Sequence, residues 1–235
     1  MNVYFSNFSN NKPVISQNLI DSIVLTLNEN SAYKFDFERA FRTWENQRGY
    51  PLLHVRYDPT SRVFRLTQER FFENKKVNSD DQSSWYIPIN YATSLSPNFD
   101  DTTINYFFDE QSQEYTIPIN NFDLSYWYVF NKQQFGYYRV NYDAANWRSL
   151  SFALNSNEYS KIHVMNRVQL IDDSFALAQG GYIDLTTAYD ILKYLDHEDD
   201  FFPWYTCYRY LNSLFTVYGN KNQKLIVSNQ VSKGP

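Results

Sequence analysis

Nucleophiles, metal ligands and general bases come from few side-chain types, and this sequence uses the most versatile of them sparingly. It holds three histidines, His54, His163 and His197, and one cysteine, Cys207. Two imidazoles at i and i+4 on one helix can share a metal ion, with a carboxylate completing the set. That spacing is missing here. His54 is followed four residues later by Asp58, His163 by Arg167, and His197-Glu198 by Phe201. We therefore assign no catalytic, no cofactor-binding and no metal-ligating residues, and read each histidine as surface-exposed or satisfied by local hydrogen bonds. Cys207 stands among aromatic residues and reads as a small core residue rather than a nucleophile.

Carboxylates are the remaining candidates. They cluster at Asp80-Asp81, Asp100-Asp101, Asp172-Asp173 and Glu198-Asp199-Asp200. Adjacent positions diverge on a strand or a helix, so such pairs rarely share one site and mostly belong to solvated loops or helix starts. Asp172-Asp173 with Arg167 is the exception. On a helix these lie within a turn and a half, and we expect an ion-pair network between packed helices rather than a substrate contact. No G-x-S-x-G elbow, P-loop or dinucleotide glycine pattern occurs.

Composition sets the class. The chain has 235 residues, 43% hydrophobic, enough for one large domain or two small ones. A formal net charge of −5 and the lack of a basic stripe argue against a nucleic-acid partner. The 21 Tyr, 19 Phe and 5 Trp read as strand and interface packing, with a sugar- or peptide-binding face as the alternative. A single cysteine forms no internal disulfide. No apolar run approaches the roughly 18 residues of a membrane span, and the opening MNVYFSNFSNNKP lacks the pattern of a signal peptide. Asn7-Phe8-Ser9 is a glycosylation sequon.

The hydrophobic period changes twice. Over residues 17–47, Ile20, Ile23, Val24 and Leu27, then Phe37, Phe41 and Trp44, fall at helical spacing, with Asn28, Asn30 and Ser31 between them and Gly49 and Pro51 at the end. From Leu52 the period is two: Leu53, Val55 and Tyr57, then Phe64 and Leu66, with Asp58-Pro59-Thr60-Ser61 as a hairpin turn. Short strands are expected at 85–89, 103–108, 115–119, 126–130 and 136–142, which suggests a compact antiparallel sandwich or barrel. After Asp143 the helical period returns. Val164, Val168, Ile171, Phe175 and Ala178 form one stripe, closed by Gly180-Gly181. Ala188, Ile191, Leu192 and Leu195 form a second. Trp204, Cys207, Tyr208, Leu211, Leu214, Phe215 and Tyr218 form a third, with Pro203 in its first turn and Gly219 at its end. The polar tail from Asn220 reads as loose.

Four stretches, in order, carry a resemblance. Trp44-Glu45-Asn46-Gln47-Arg48-Gly49-Tyr50-Pro51 with the strand after it is similar to a W-x-x-Q-x-G-Y-P segment. Trp85-Tyr86-Ile87-Pro88-Ile89 is similar to a later strand. Gly136-Tyr137-Tyr138-Arg139-Val140-Asn141-Tyr142-Asp143, then Asn146-Trp147, is similar to a G-Y-Y-R-V-N-Y-D exit strand. Asn166 to Phe175, with Tyr194-Leu195, Glu198 and Phe202-Pro203-Trp204, resembles the helices that follow. Together, over roughly residues 15–218, they resemble the aminopeptidase N family of gluzincin zinc metallopeptidases.

The resemblance implies an α+β multidomain fold: a short helical segment ending a thermolysin-like catalytic domain (1–50), an antiparallel β-sandwich (51–142), and α-helical hairpins beginning an α-solenoid-like C-terminal domain (143–235). It implies a parent that removes N-terminal residues from peptides with zinc held by H-E-x-x-H and a further Glu, and that grips the free amine with G-x-M-E-N. None of those motifs occurs in this chain. The expectation is a non-catalytic C-terminal portion that shapes the substrate cavity, inactive alone, without zinc, and prone to self-association through exposed interdomain surface. The alternative is a stand-alone binding or regulatory module for peptide, protein or sugar. Members of the family are membrane-anchored, extracellular or cytosolic, and the resemblance is compatible with each.

Overall fold

The computed structural model describes residues 15–29, 36–75 and 81–218. The Asn7 sequon, the Asn30-Ser31 turn, Asp80 and the tail from Gly219 lie outside them, as do the side chains of Leu27, Leu214, Phe215 and Tyr218.

Two helices open the described chain, α1 (Ser16–Glu29) and α2 (Phe37–Glu45). Asp36 caps α2 by accepting from the Arg39 N–H. The W-x-x-Q segment then fastens α2 to the β region. Trp44 Nε1 donates to the Tyr86 carbonyl at 3.1 Å, and the Gln47 amide both donates to the Ser84 carbonyl at 2.6 Å and accepts from the Ser84 N–H at 3.0 Å.

The expected hairpin forms. Strand β1 (Pro51–Asp58) pairs with β2 (Val63–Arg70) in antiparallel register, Pro51 opposite Arg70 and Asp58 opposite Val63. Asp58 Oδ1 accepts from the N–H groups of Thr60 and Ser61, the side-chain turn that its residue type favours. Six further strands occur among the described residues: β3 (Ile87–Ile89), β4 (Tyr91–Thr93), β5 (Tyr106–Phe108), β6 (Tyr115–Pro118), β7 (Tyr128–Phe130) and β8 (Arg139–Tyr142). The main sheet has the order β6-β2-β1-β8, and β3-β5 and β4-β7 form two small sheets.

The pairings are antiparallel except one: β8 lies parallel to β1, Leu52 opposite Arg139. A tight hairpin would force antiparallel pairing, but β8 returns after the whole β region and is free of that constraint. The strands are also shorter than the sequence predicts. Trp85 is not in a strand because the Gln68 amide takes both its backbone groups, accepting from its N–H at 2.8 Å and donating to its carbonyl at 2.9 Å. β4 was not expected; three residues are too few to show a period.

Asp143 ends β8 and caps α3 (Ala144–Leu154), accepting from the Asn146 N–H at 2.8 Å. The same carboxylate accepts from the Tyr128 hydroxyl at 2.8 Å and the Tyr57 N–H at 3.2 Å. Next come α4 (Val164–Gly180), α5 (Leu185–Leu192) with a 3₁₀ turn at Lys193–His197, and α6 (Phe201–Tyr218). Helix α4 packs against α5, α6 and β8 and is buried on most of its circumference. Its two terminal glycines answer different demands. Gly181 has φ of +80°, while a Cβ on Gly180 would sit 3.0 Å from the Phe72 carbonyl oxygen.

One buried hydrophobic cluster runs from Leu52 and Phe64 in the sheet through Trp147 in α3 to Phe175 in α4 and Ile191 in α5. Phe64 is fully buried and meets the rings of Tyr57, Tyr91, Phe122, Tyr128 and Phe130 at centroid distances of 4.6–5.9 Å. This is where much of the aromatic content goes. By area alone, a buried ring of this kind stabilises by about 1.5–3 kcal/mol.

Candidate functional site

The largest gathering of charge at the junction of sheet and helices centres on Arg139. Residues alternate along β8: Val140 and Tyr142 turn into the core, and Arg139 turns toward α4. Its Nη1 reaches Asp172 at 2.5 Å and Asp173 at 2.8 Å, and its Nε donates to the Tyr50 hydroxyl at 3.2 Å. Asp173 also accepts from the Val140 N–H at 3.0 Å, so one carboxylate holds both side chain and backbone of the exit strand. Tyr210 from α6 donates to Asp172 at 2.9 Å. The guanidinium lies 5.2 Å from the centre of the Phe71 ring.

Burial sets the electrostatics. It pushes the Asp173 carboxyl up to about 6, against the pull of Arg139. It would lower Arg139, but the two facing carboxylates outweigh it and hold the guanidinium firmly charged. Tyr210 is raised, first by burial and then by the Asp172 charge.

Two expectations need correction here. Arg167 does not pair with Asp172 or Asp173. It points to the other side of α4, where its Nε and Nη2 grip Glu198 at 2.6 and 3.0 Å and Nη2 meets Asp200 at 2.8 Å. Five residues separate Arg167 from Asp172, which on a helix opens an angle large enough to send them to different neighbours. Neighbouring acids also do share a partner: Asp172 and Asp173 converge on Arg139 because that side chain crosses above both. The network therefore joins β8 to the helices instead of staying among helices. Around Arg167, burial disfavours the Glu198 charge, but the Arg167 hydrogen bonds prevail and leave its pKa lowered.

The three histidines are held apart by separate duties. His54 Nε2 sits 2.7 Å from Glu69 Oε1 on the neighbouring strand. His163 caps α4, its Nδ1 accepting from the Met165 N–H. His197 Nε2 contacts the Leu154 carbonyl at 2.9 Å. Among the described residues, no group of three or more His, Cys, Asp or Glu is placed to hold a metal ion. Cys207 is buried, and burial pushes its thiol up to about 11. Asp81 pairs with Arg70, and Asp101 and Asp100 lie in exposed loops. Arg139 belongs to the exit-strand motif, and the sequence alone gives it no partner. A lone charge in a strand of mostly apolar and aromatic residues is the available signal.

A cleft of about 600 Å³ opens beside this arginine, lined by Tyr50, Phe71, Glu73, Arg139, Arg209 and Tyr210. It lies where the G-Y-P segment, β8, α4 and α6 meet, so its walls come from segments far apart in the chain.

Comparison with known proteins bears out the resemblance. Residues 127–232 match the model of the ERAP1-like C-terminal domain. Aminopeptidase N of Plutella xylostella is 38% identical over 177 residues, covering 74% of this chain and 18% of that protein. Membrane alanyl aminopeptidase of Manduca sexta is 34% identical over 186 residues, 79% of this chain and 18% of that protein. Human glutamyl aminopeptidase is 32% identical over 179 residues, 74% and 18% respectively. The chain is thus a relative of the aminopeptidase N-like proteins. It spans about a fifth of the length of these relatives. No helix among the described residues is long and apolar enough to cross a membrane.

Proposed function

We propose that this chain is a non-catalytic, structural portion of an aminopeptidase N-like metallopeptidase, whose sheet and helices shape the cavity in which the parent enzyme shortens peptides from their N-termini. The observation that carries this reading is the Arg139 junction. The side chains that could do chemistry are spent on holding β8 against α4 and α6, in a site whose walls are built from distant parts of the chain. The zinc that the resemblance implies does not fit these residues: the histidine nitrogens are turned to Glu69, to a helix N-terminus and to a backbone carbonyl. Exposed aromatics support self-association through interdomain surface. Phe201, Phe202 and Tyr205 form a ring cluster at the start of α6, and Phe201 is 69% exposed.

The test is zinc analysis of the purified chain alongside hydrolysis of aminoacyl anilides. The expected outcome is substoichiometric zinc and no turnover. Stoichiometric zinc with turnover would overturn the reading.

A further inference from the structure

The loop between β7 and β8 is strained, and it delivers a lysine into a cavity. Asn131, Gln133 and Gln134 all have positive φ, at 64°, 54° and 55°. Each such non-glycine residue costs on the order of a kcal/mol of backbone strain, and such residues cluster where a fold positions a functional group. Here buried amides impose the conformation. Asn90 Oδ1 accepts from the Lys132 N–H at 2.8 Å, and Asn166 Oδ1 accepts from the Gln133 N–H at 2.7 Å. Asn131 bridges its own loop, accepting from the Gly136 N–H at 2.7 Å and donating to the Gly136 carbonyl at 2.9 Å.

The side chain held this way is Lys132, only 4% exposed. A lysine is almost never buried without a partner. Its ammonium has three donors, and among the described residues it makes one hydrogen bond, to the Asn98 carbonyl at 3.2 Å. Two donors are left over. Lys132 lines a cavity of about 380 Å³ on the side of the β region, together with Tyr91, Tyr106, Asn105 and Asn120. Lys132 carries the single formal charge among the lining residues, which otherwise offer hydroxyls, amides and apolar carbon. The nearby acid is Asp101, exposed and outside the lining; its pKa is lowered mainly by hydrogen bonds from Thr103 and least by the Lys132 charge.

We propose that this cavity binds a small oxyanion, a carboxylate or phosphate, with Lys132 as its charged anchor and the Asn105 and Asn120 amides as flanking donors. The chemistry follows from what is left open. A buried cation with two unused N–H groups is best completed by an acceptor bearing negative charge. The tyrosines give the body of such a ligand an apolar wall. The proposal is independent of the scaffold reading, since the cavity shares no lining residue with the cleft beside Arg139.

The test titrates inorganic phosphate and acetate separately into the purified full chain at low ionic strength, following ³¹P and ¹³C line widths. Saturable broadening by either probe is expected: phosphate alone would assign phosphate, acetate alone a carboxylate, and both the shared oxyanion. Lys132→Met should weaken binding by about tenfold or more, through loss of charge-assisted hydrogen bonds. Asn120→Asp, at an exposed rim position, sets a negative charge against the anion without touching the buried loop, and should weaken binding similarly if Lys132→Met does not fold. Absence of saturable binding by both probes, or binding unchanged in Asn120→Asp and in folded Lys132→Met, would overturn the proposal and leave an adventitious ion only.

Discussion

Replacing Arg139 with methionine tests whether the junction is held by charge. The side chain is 18% exposed and faces carboxylates that are 25% and 5% exposed. Methionine keeps the length and apolar contact with Phe71 but removes the guanidinium. Breaking a buried pair by deleting one partner costs about 3–5 kcal/mol, because the other charge is stranded. Asp173 has a way to limit this. Its carboxyl is already pushed up to about 6 with Arg139 present, and without Arg139 it rises further and takes a proton at neutral pH. Each unit of such a shift is worth about 1.4 kcal/mol, so the loss falls at the low end, about 3 kcal/mol, or roughly 6–12 °C in melting temperature for a chain of this size. Adding Asp173→Asn to Arg139→Met removes the stranded group and should restore about 1–2 kcal/mol. Urea and thermal unfolding followed by circular dichroism at pH 7 read both variants. If Arg139→Met lies within about 0.5 kcal/mol of the parent, a surface-like effect, the buried-pair argument is wrong. A double variant no more stable than the single one would sink it equally.

Four further outcomes follow from the same physics. Arg167→Met strands Glu198, which is almost wholly buried, and should destabilise by about 3 kcal/mol in urea titration. Tyr142→Phe leaves the buried Phe130 N–H without its 2.9 Å acceptor and should cost about 1–3 kcal/mol by the same measurement. Cys207, with its thiol pushed up to about 11, should resist maleimide at pH 7 in the folded chain and react once urea unfolds it; rapid labelling of the native chain would contradict its burial. Asp173 has its folded pKa raised above the ordinary value, so its contribution to stability is present at low pH and is lost as pH rises through about 6. The stability difference between the parent and Asp173→Asn should therefore shift against the parent between about pH 4 and 6, the window set by the free and folded values, and a difference that stays flat would refute the assignment.

What could be read from the sequence was what local rules govern. The Asp58 to Ser61 turn, the exit strand and the Gly181 stop depend on neighbours a few residues away, and they appear in the structure; of the expected α4 stripe only Ile171 and Phe175 are buried, because that helix is covered on most of its circumference rather than along one face. The Arg139 junction depends on residues 33 and 34 positions away, across a strand-to-helix contact that no period encodes. Arg167 was legible as a helical residue, but its partner lies 31 positions on, and the nearer Asp172-Asp173 pair drew the assignment away from it. The Lys132 loop was opaque for a different reason. Asn131-Lys132-Gln133-Gln134 has the composition of a solvated turn, and only its buried amide partners show that it is inside.

The exit strand shows why sheet and helices should unfold together. Tyr138 donates to the Pro88 carbonyl at 3.0 Å, which ties β8 to the small sheets. Arg139 and the Val140 N–H bind α4 through Asp173. Asn141 accepts from Trp147 of α3 at 3.1 Å, and the Tyr142 hydroxyl accepts from the Phe130 N–H of β7. Asp143 then caps α3 while holding Tyr57 and Tyr128. Six consecutive residues thus reach β1, both small sheets, α3 and α4, so separating the β region from the helices would break several buried hydrogen bonds and an ion pair at once. Neither half can keep its part of these interactions alone. A scaffold whose two halves must hold a fixed angle around a cavity needs this kind of coupling, whereas a mobile linker at residue 143 would let the walls drift. The junction is therefore the feature that fixes the β region against the helices.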